Sequence, residues 1–252
     1  SSNFGTDTSG NGKHFTSTNF APHQQCVDVP TNNFFVMNSL GTIGVTNQQA
    51  TDQTTFTNGN TEMLRTRSSG ESDGAGTSIS ALPQNGKWYW EIFWASRDTG
   101  NMYQGIMNHI DASTNVIYYA ANGNGYINGS SSSYGNSYAQ NNIIGVALDL
   151  DNNKLYFSKN GTFQNSGDPT SGSTGTGAIS IPASSATYDG GYRFACGDFS
   201  NNNNAHNLNF GQDGTFAGRT TAGGNSDGNG IGNFKYSVPS GYLAVCTKNL
   251  GS

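Results

Sequence analysis

The stretch GKWYWEIFW, residues 86–94, contains all three tryptophans of the 252-residue chain. Successive side chains of a β-strand point to opposite faces, so Trp88, Trp90 and Trp94 are predicted to share one face of a sheet. Fully burying an aromatic side chain contributes about 2–3 kcal/mol, and the rest of the chain is rich in Asn, Gly, Ser and Thr. We therefore interpret this stretch as the core strand of a β-sandwich, in preference to a ligand-stacking site.

The composition allows a core but gives an unusually uncharged surface. Hydrophobic residues make up 33% of the chain, and 35 glycines accompany them. Charged residues make up only 11%, against roughly 25% in typical domains. A net charge of −5 without any basic run argues against a nucleic-acid partner. No apolar run approaches the roughly 20 residues of a membrane span. Three distant cysteines, Cys26, Cys196 and Cys246, allow at most one disulfide and favour buried thiols.

Short alternating or apolar runs, separated by Gly, Asn, Asp and Ser, predict strands and turns throughout the chain. The strongest strand patterns are 87–94, 103–110, 115–121, 143–150, 154–160, 192–199, 205–211 and 241–249, and weaker ones are 33–39, 61–67 and 177–182. Asn-Gly pairs recur between them and suit tight hairpin turns. Segments 128–142, 164–176 and 213–233 are predicted to be loops. Helical periodicity is absent, so the predicted fold class is all-β, an antiparallel β-sandwich with negligible helix.

The order of four segments, GKWYWEIFW, YQGIM, IIGVALDLDNNKLYFSKNGTF and NLNFGQ, resembles the succession of strands in the SPRY (B30.2) family. This resemblance spans roughly residues 86–212 and implies a concanavalin-like jelly roll. It also implies that Phe157 and Phe210, in the hairpin and in the late NFG strand, join the three tryptophans in the core. The loop residues with which animal members bind peptides have no counterpart here, so the resemblance predicts the fold and not the ligand.

The flanking segments 7–38 and 238–250 are similar to segments that surround such sandwiches in virion proteins of tailed bacteriophages, especially marine ones. We therefore predict a single domain over residues 1–252. Its N-terminal wrapping segment would be 1–60, its SPRY-like sandwich core 61–212, and its glycine-rich loop and C-terminal strand 213–252. The wrapping segments are expected to pair with edge strands, because a weakly charged surface cannot protect sheet edges by repulsion.

A group of tyrosines among Asn, Gly and Ser is the candidate ligand-binding surface. It consists of Tyr118, Tyr119, Tyr126, Tyr134 and Tyr138. Antibody binding loops have this composition, because tyrosine supplies rigid amphipathic contact and the small polar residues supply adaptable hydrogen bonds. The alternative is that these tyrosines pack back onto the sandwich.

Three short segments rich in Asp, Asn and Gly provide the candidate metal ligands. Asp149 and Asp151, with neighbouring asparagines, offer the oxygen atoms that Ca²⁺ takes. The segments 7–12 and 225–230 are similar. Ordinary turn chemistry, in which Asp and Asn bond the local backbone, is the favoured interpretation of all three. No cofactor is predicted.

The chain is not expected to be an enzyme. Its glutamates, Glu62, Glu71 and Glu91, show no spacing that suggests a glycosidase pair. The four histidines lack the spacing of a metal site, and no nucleophile motif is present. These patterns favour a binding or structural protein.

Three functional hypotheses follow. The first is a non-enzymatic virion protein, a tail-fibre or receptor-binding module that recognises a host-surface glycan or protein through its loops. The second is a structural capsid decoration or fibre protein that contacts other virion proteins and has no host ligand. The third is a secreted bacterial adhesin or carbohydrate-binding module. All three place the chain on a virion surface or outside a cell, without nucleic-acid or membrane partners, and allow a homo-oligomer.

Overall fold

The computed structural model describes residues 5–7, 9–16, 18, 29, 31–39, 54–65, 74–77, 81–97, 102–108, 116–187, 190–198 and 204–251. Within these ranges the strands are β1 (Thr54–Thr57), β2 (Glu62–Arg65), β3 (Gly74–Thr77), β4 (Lys87–Arg97), β5 (Met102–Met107), β6 (Val116–Ala120), β7 (Asn124–Ile127), β8 (Ser130–Ser133), β9 (Ile143–Asp149), β10 (Lys154–Lys159), β11 (Thr162–Phe163), β12 (Ile179–Ser180), β13 (Arg193–Asp198), β14 (Asn204–Asn209) and β15 (Leu243–Ala244). Short 3₁₀ helices span Gly172–Thr174 and Ser184–Ala186, and one helical turn, α1, spans Thr247–Leu250.

The strands form two sheets. One follows the order β1-β2-β14-β4-β9-β10-β11, with β12 on β10 and β15 on β4. The other follows the order β3-β13-β5-β6-β7-β8. Neighbouring strands are antiparallel, except for the parallel pair β15 and β4. The predicted fold class, an antiparallel β-sandwich with almost no helix, is confirmed.

The tryptophan strand lies at the centre of the first sheet, between β14 and β9. Trp90 is fully buried, and its ring meets Phe194 of the opposite sheet edge to face, with 6.4 Å between centroids. The structure also buries the other four residues of the predicted core: Trp88, Trp94, Phe157 and Phe210. The row of indoles therefore packs between the two sheets. The tryptophans are core residues and do not form a ligand-stacking surface.

The opposite face of β4 is covered by the C-terminal part of the chain. Phe93 packs against Phe216, with ring centroids 5.7 Å apart, and Tyr89 packs against Phe234 at 5.2 Å. The predicted glycine-rich loop 213–233 is thus irregular in backbone and forms a third layer on the outside of the first sheet.

Several predicted strands are wrong in extent. Of the segment 241–249, only β15 is a strand. The chain then leaves β4 and forms α1, where the Asn249 side chain donates a hydrogen bond to Asp227. The segment 33–39 is not a strand, although Phe35 N–H donates to the Val245 carbonyl at 3.0 Å. The segment 128–142, predicted to be a loop, contains β8. Position 109 onward of the predicted strand 103–110 lies outside the described residues.

Cys196 and Cys246 are both buried, as the sequence analysis favours, and Cys26 lies outside the described residues. No helix in the described part of the chain is both long and apolar enough to cross a bilayer.

Candidate recognition surface

The β7–β8 hairpin forms the outer end of the six-stranded sheet. Its turn is Asn128-Gly129, with φ angles of 49° and 85°, the pair of positive values that a two-residue type I′ turn requires. The turn sets Ile127 opposite Ser130 and Asn124 opposite Ser133. The Asn-Gly signal was present in the sequence, but four consecutive serines have low strand propensity, so the strand that follows was not predicted.

Three tyrosine rings are in contact on the outer face of this sheet. Tyr103 and Tyr118 have centroids 4.9 Å apart. Tyr118 and Tyr126 are parallel, with centroids 4.6 Å apart and an interplanar angle of 9°. Tyr103 and Tyr118 are buried, whereas Tyr126 is half-buried. Stacking on Tyr118 holds the Tyr126 ring in place while part of it stays in contact with solvent.

The five tyrosines of the candidate surface are not all exposed: four of them are buried. Tyr119, Tyr134 and Tyr138 lie in the main core, and Tyr118 lies beneath Tyr126. Tyr119 faces the interior because it alternates with Tyr118 along β6.

After β8 the chain turns back into the sandwich, which buries two more rings. The Tyr134 hydroxyl accepts the Phe157 N–H at 3.0 Å, and the Tyr138 hydroxyl donates to the Tyr119 carbonyl at 2.9 Å. Burial raises the pKa of Tyr119 to about 12 and raises that of Tyr134 still further. These hydroxyls are neutral internal hydrogen-bonding groups. Tyr126 is the member of the predicted set with an accessible ring.

The hairpin that carries Tyr126 is exposed, and its own sequence contains no charged residue. Ile127 is 39% exposed, and the turn and all of β8 are exposed. No Asp, Glu, Lys, Arg or His occurs between Asp111 and Asp149.

The acidic runs considered as metal ligands use their oxygens within the protein. Asp149 pairs with Lys87 at 3.0 Å and accepts the Asn152 N–H, while Asp151 accepts the Gly86 N–H at 2.7 Å. Asp7 accepts the Ser9 and Lys13 N–H groups in the same manner. Among the described residues, no group of three His, Cys, Asp or Glu side chains has the arrangement of a metal site.

Two buried ionisable groups were not identified from the sequence. Glu91, on the outer face of β4, is fully buried and accepts the Lys235 and Tyr236 N–H groups at 2.8 Å each. Burial raises its pKa to about 7, although those two N–H groups, the Tyr89 hydroxyl and Asn209 pull in the opposite direction.

The second group is His206, whose Nδ1 lies 3.0 Å from the Gln104 amide nitrogen of the opposite sheet. Burial lowers the pKa of His206 to about 3. Both His206 and Glu91 lie beneath packed layers, so their contacts are those of structural groups.

Comparisons with known proteins gave one match to a family and similarity to solved structures. Residues 87–177 match the sequence profile of the SPRY domain. The structure is similar to the crystal structure of the SPRY domain of human HERC1, with 17% sequence identity and a TM-score of 0.48, covering 62% of this chain and 91% of that chain. No curated protein has a matching sequence. The SPRY resemblance is confirmed for residues 87–177, and the bacteriophage part of the resemblance stays a prediction.

Proposed function

We propose that this chain is a non-enzymatic recognition module that binds a partner macromolecule on the exposed face of the β7–β8 hairpin. The observation that carries the proposal is half-buried Tyr126, whose ring stacks on buried Tyr118 beside the exposed, uncharged strand β8. An aromatic ring that is already held in position loses little conformational freedom on binding, which favours affinity. The SPRY match over residues 87–177 supports an interaction role over catalysis.

The chemistry of the surface suits a neutral partner. Serine hydroxyls and asparagine amides offer hydrogen-bond donors and acceptors, and the exposed part of the tyrosine ring offers a flat apolar surface. A glycan presents hydroxyls beside flat apolar ring faces, and an uncharged protein segment presents amides beside apolar side chains. A host-surface glycan is the partner we favour, with a host protein as the alternative within the same proposal.

The biological setting that we propose is the surface of a tailed-phage virion, as a tail-fibre or receptor-binding component. The support for this setting is the resemblance of segments 7–38 and 238–250 to virion proteins. The capsid decoration protein is the second candidate, and one observation favours it. The unprotected edge strand β8 is suited to contacts between protein copies.

The proposal predicts that Tyr126→Ala weakens binding of the fluorescently labelled chain to host cells by about 10- to 100-fold. This is the usual effect of truncating an aromatic residue in an interface. Tyr126→Phe should retain most of the affinity, because the stacked ring remains. Leu64→Ala, which changes another exposed hydrophobic residue on the other sheet, should bind as the wild type does. The measurement is a saturation isotherm by fluorescence, with circular dichroism to show that each variant is folded.

Periodate treatment of the cells identifies the partner. Loss of binding after oxidation of vicinal diols would establish a glycan, and retained binding that proteolysis of the cell surface removes would establish a protein. Equal binding by Tyr126→Ala and the wild type would overturn the assignment of the hairpin surface.

A further inference from the structure

The edge of β8 has unpaired backbone groups. The register sets Ile127 opposite Ser130 across a two-residue turn, and the Tyr134 N–H donates to the Gly123 carbonyl at 3.1 Å. Residues 130, 132 and 134 therefore direct their backbone groups toward β7, since bonding direction alternates along a strand. The N–H and C=O groups of Ser131 and Ser133 point away from the sheet, and both residues are exposed.

The edge of the first sheet beyond β10 is covered by further strands. The outer edge of β10 is shared by the short strands β11 and β12. Natural edge strands are usually protected by charge, proline or a bulge. The β8 edge has none of the three: its sequence is four serines, its ladder with β7 is regular, and the sequence from residue 112 to 148 contains no Asp, Glu, Lys, Arg or His.

We propose that a second copy of this chain occupies the edge, with β8 pairing antiparallel to β8 about a two-fold axis at Ser132. In this register Ser131 of each copy lies opposite Ser133 of the other, and each such pair exchanges two N–H···O=C bonds. Every outward-facing group of the strand is then satisfied. The two six-stranded sheets become one continuous sheet across the dimer.

The side chains fit a second copy better than an unrelated strand. The outward-bonding positions are symmetric about Ser132, and all four side chains are small and neutral, so no bulky or like-charged groups meet at the axis. Cross-strand serine pairs can also exchange hydrogen bonds. An isologous contact of this kind closes after two copies. Because one short strand buries little surface, association is expected to be weak and to depend on concentration.

A register-specific disulfide tests the pairing in the full chain. At the axis, the two Ser132 residues form a non-hydrogen-bonded pair with Cα atoms about 4.5 Å apart, within the range of a disulfide. Ser132→Cys should therefore cross-link into a dimer under mild oxidation. Ser131→Cys is the matched control: its two copies would be about 8 Å apart, from a strand rise near 3.4 Å and a strand spacing near 4.8 Å, beyond disulfide reach. The wild type supplies the baseline for the native cysteines.

Sedimentation equilibrium gives an independent readout. The wild-type average mass should rise toward that of a dimer with increasing concentration. Ser132→Lys, which sets two ammonium groups facing each other at the axis, should weaken association at least 10-fold. Ser131→Pro, which removes an outward N–H and leaves the β7 ladder intact, should do the same. A monomer at every concentration, or equal cross-linking of Ser131→Cys and Ser132→Cys, would overturn the proposal.

Discussion

Between pH 4.5 and 6.5 the Glu91→Gln variant is expected to become more stable as the pH rises, whereas a His206→Gln variant is expected to become less stable. The wild type should change little over the same interval. These opposite slopes follow from two of the buried ionisable groups, Glu91 and His206, whose pKa values are displaced from their ordinary values in opposite directions.

Glu91 lowers stability on the alkaline side. Its pKa is about 7 in the folded protein against an ordinary 4.5, because burial disfavours the charged form. The folded state therefore binds more protons than the unfolded state between these values, and the free energy of unfolding falls as pH rises. The contribution is fully present below pH 4.5 and is lost above pH 7. A displacement of this size corresponds to about 3 kcal/mol.

His206 has the opposite effect on the acid side. Its pKa is about 3 in the folded protein against an ordinary 6.5, because the buried imidazole is kept neutral. The unfolded state binds more protons below pH 6.5, so stability is lost as pH falls from there toward 3. Between pH 6.5 and 4.5 this loss amounts to about 2 kcal/mol, similar to what Glu91 contributes over the same interval.

In the wild type, the pH-dependent contributions of Glu91 and His206 to the free energy of unfolding cancel. Each variant removes one of them and leaves the other. Glu91→Gln leaves the His206 slope, so its free energy of unfolding should rise by about 2 kcal/mol from pH 4.5 to 6.5. His206→Gln leaves the Glu91 slope and should fall by about the same amount. Urea unfolding at half-unit pH steps measures both, followed by the fluorescence of the three buried tryptophans. Subtracting the wild-type curve removes the other carboxylates, which are common to all three proteins.

Parallel pH profiles for the wild type and both variants would contradict this account. A flat profile for Glu91→Gln alone would mean that His206 is not kept neutral by burial. Glu91→Gln is also expected to be less stable than the wild type at every pH, because the amide nitrogen meets a backbone N–H where a carboxylate oxygen accepted one. The slope, and not the offset, is the diagnostic quantity.

The sandwich could be predicted because its central strands carry local signals. Alternation along residues 87–94 set the tryptophans on one face, and the Asp149–Lys154 hairpin follows directly from its Asp and Asn residues. Asn153 has the positive φ of 56° that such a turn uses. Local patterns of this kind fix strands and turns without knowledge of the rest of the chain.

The tyrosines could not be assigned from composition, because composition does not say which way a ring points. Tyr118 and Tyr119 are neighbours with opposite orientations. The segment after β8 looks like a solvated loop, yet it carries Tyr134 and Tyr138 into the core. Only the return of the chain onto Phe157 reveals this. The accessible Tyr126 was in the predicted set, but nothing in the sequence separated it from the other four.

Glu91 was missed for a related reason. Alternation correctly places it on the face opposite the tryptophans, and a glutamate on an outer face suggests contact with solvent. Its burial depends on residues 235 and 236, which lie far along the chain and whose backbone N–H groups bind the carboxylate. Such a contact has no local sequence pattern, because a backbone N–H is common to every residue except proline.

Asp227→Ala is expected to cost about 4 kcal/mol of stability, because four donors lose their acceptor at once. One carboxylate oxygen accepts the Asn229 and Ile231 N–H groups, at 2.9 Å each. The other accepts the Ala244 N–H at 2.9 Å and the Asn249 amide at 2.8 Å. Asp227 is buried, and each buried donor left without a partner costs about 1–3 kcal/mol.

This carboxylate differs from the other turn aspartates in what it joins. Asp213 is the matched control, since its carboxylate accepts only from Thr215 and Ala217 of its own turn. Asp213→Ala should therefore cost about 1 kcal/mol, the usual effect of losing a local cap. Asp227 instead ties its turn to β15 and α1, which complete the C-terminal part of the structure beside β4.

Urea unfolding compares the two variants, and hydrogen exchange locates the loss. The Ala244 and Ile231 amides should lose protection in Asp227→Ala and retain it in Asp213→Ala. Asp227→Asn should fall between the wild type and Asp227→Ala, because one oxygen is kept while an amide nitrogen faces two donors. Stabilities of Asp227→Ala and Asp213→Ala within about 1 kcal/mol of each other would contradict the bridging role. The acidic run 225–230 would then be an ordinary surface turn, and the C-terminal segment would be held by its apolar contacts alone.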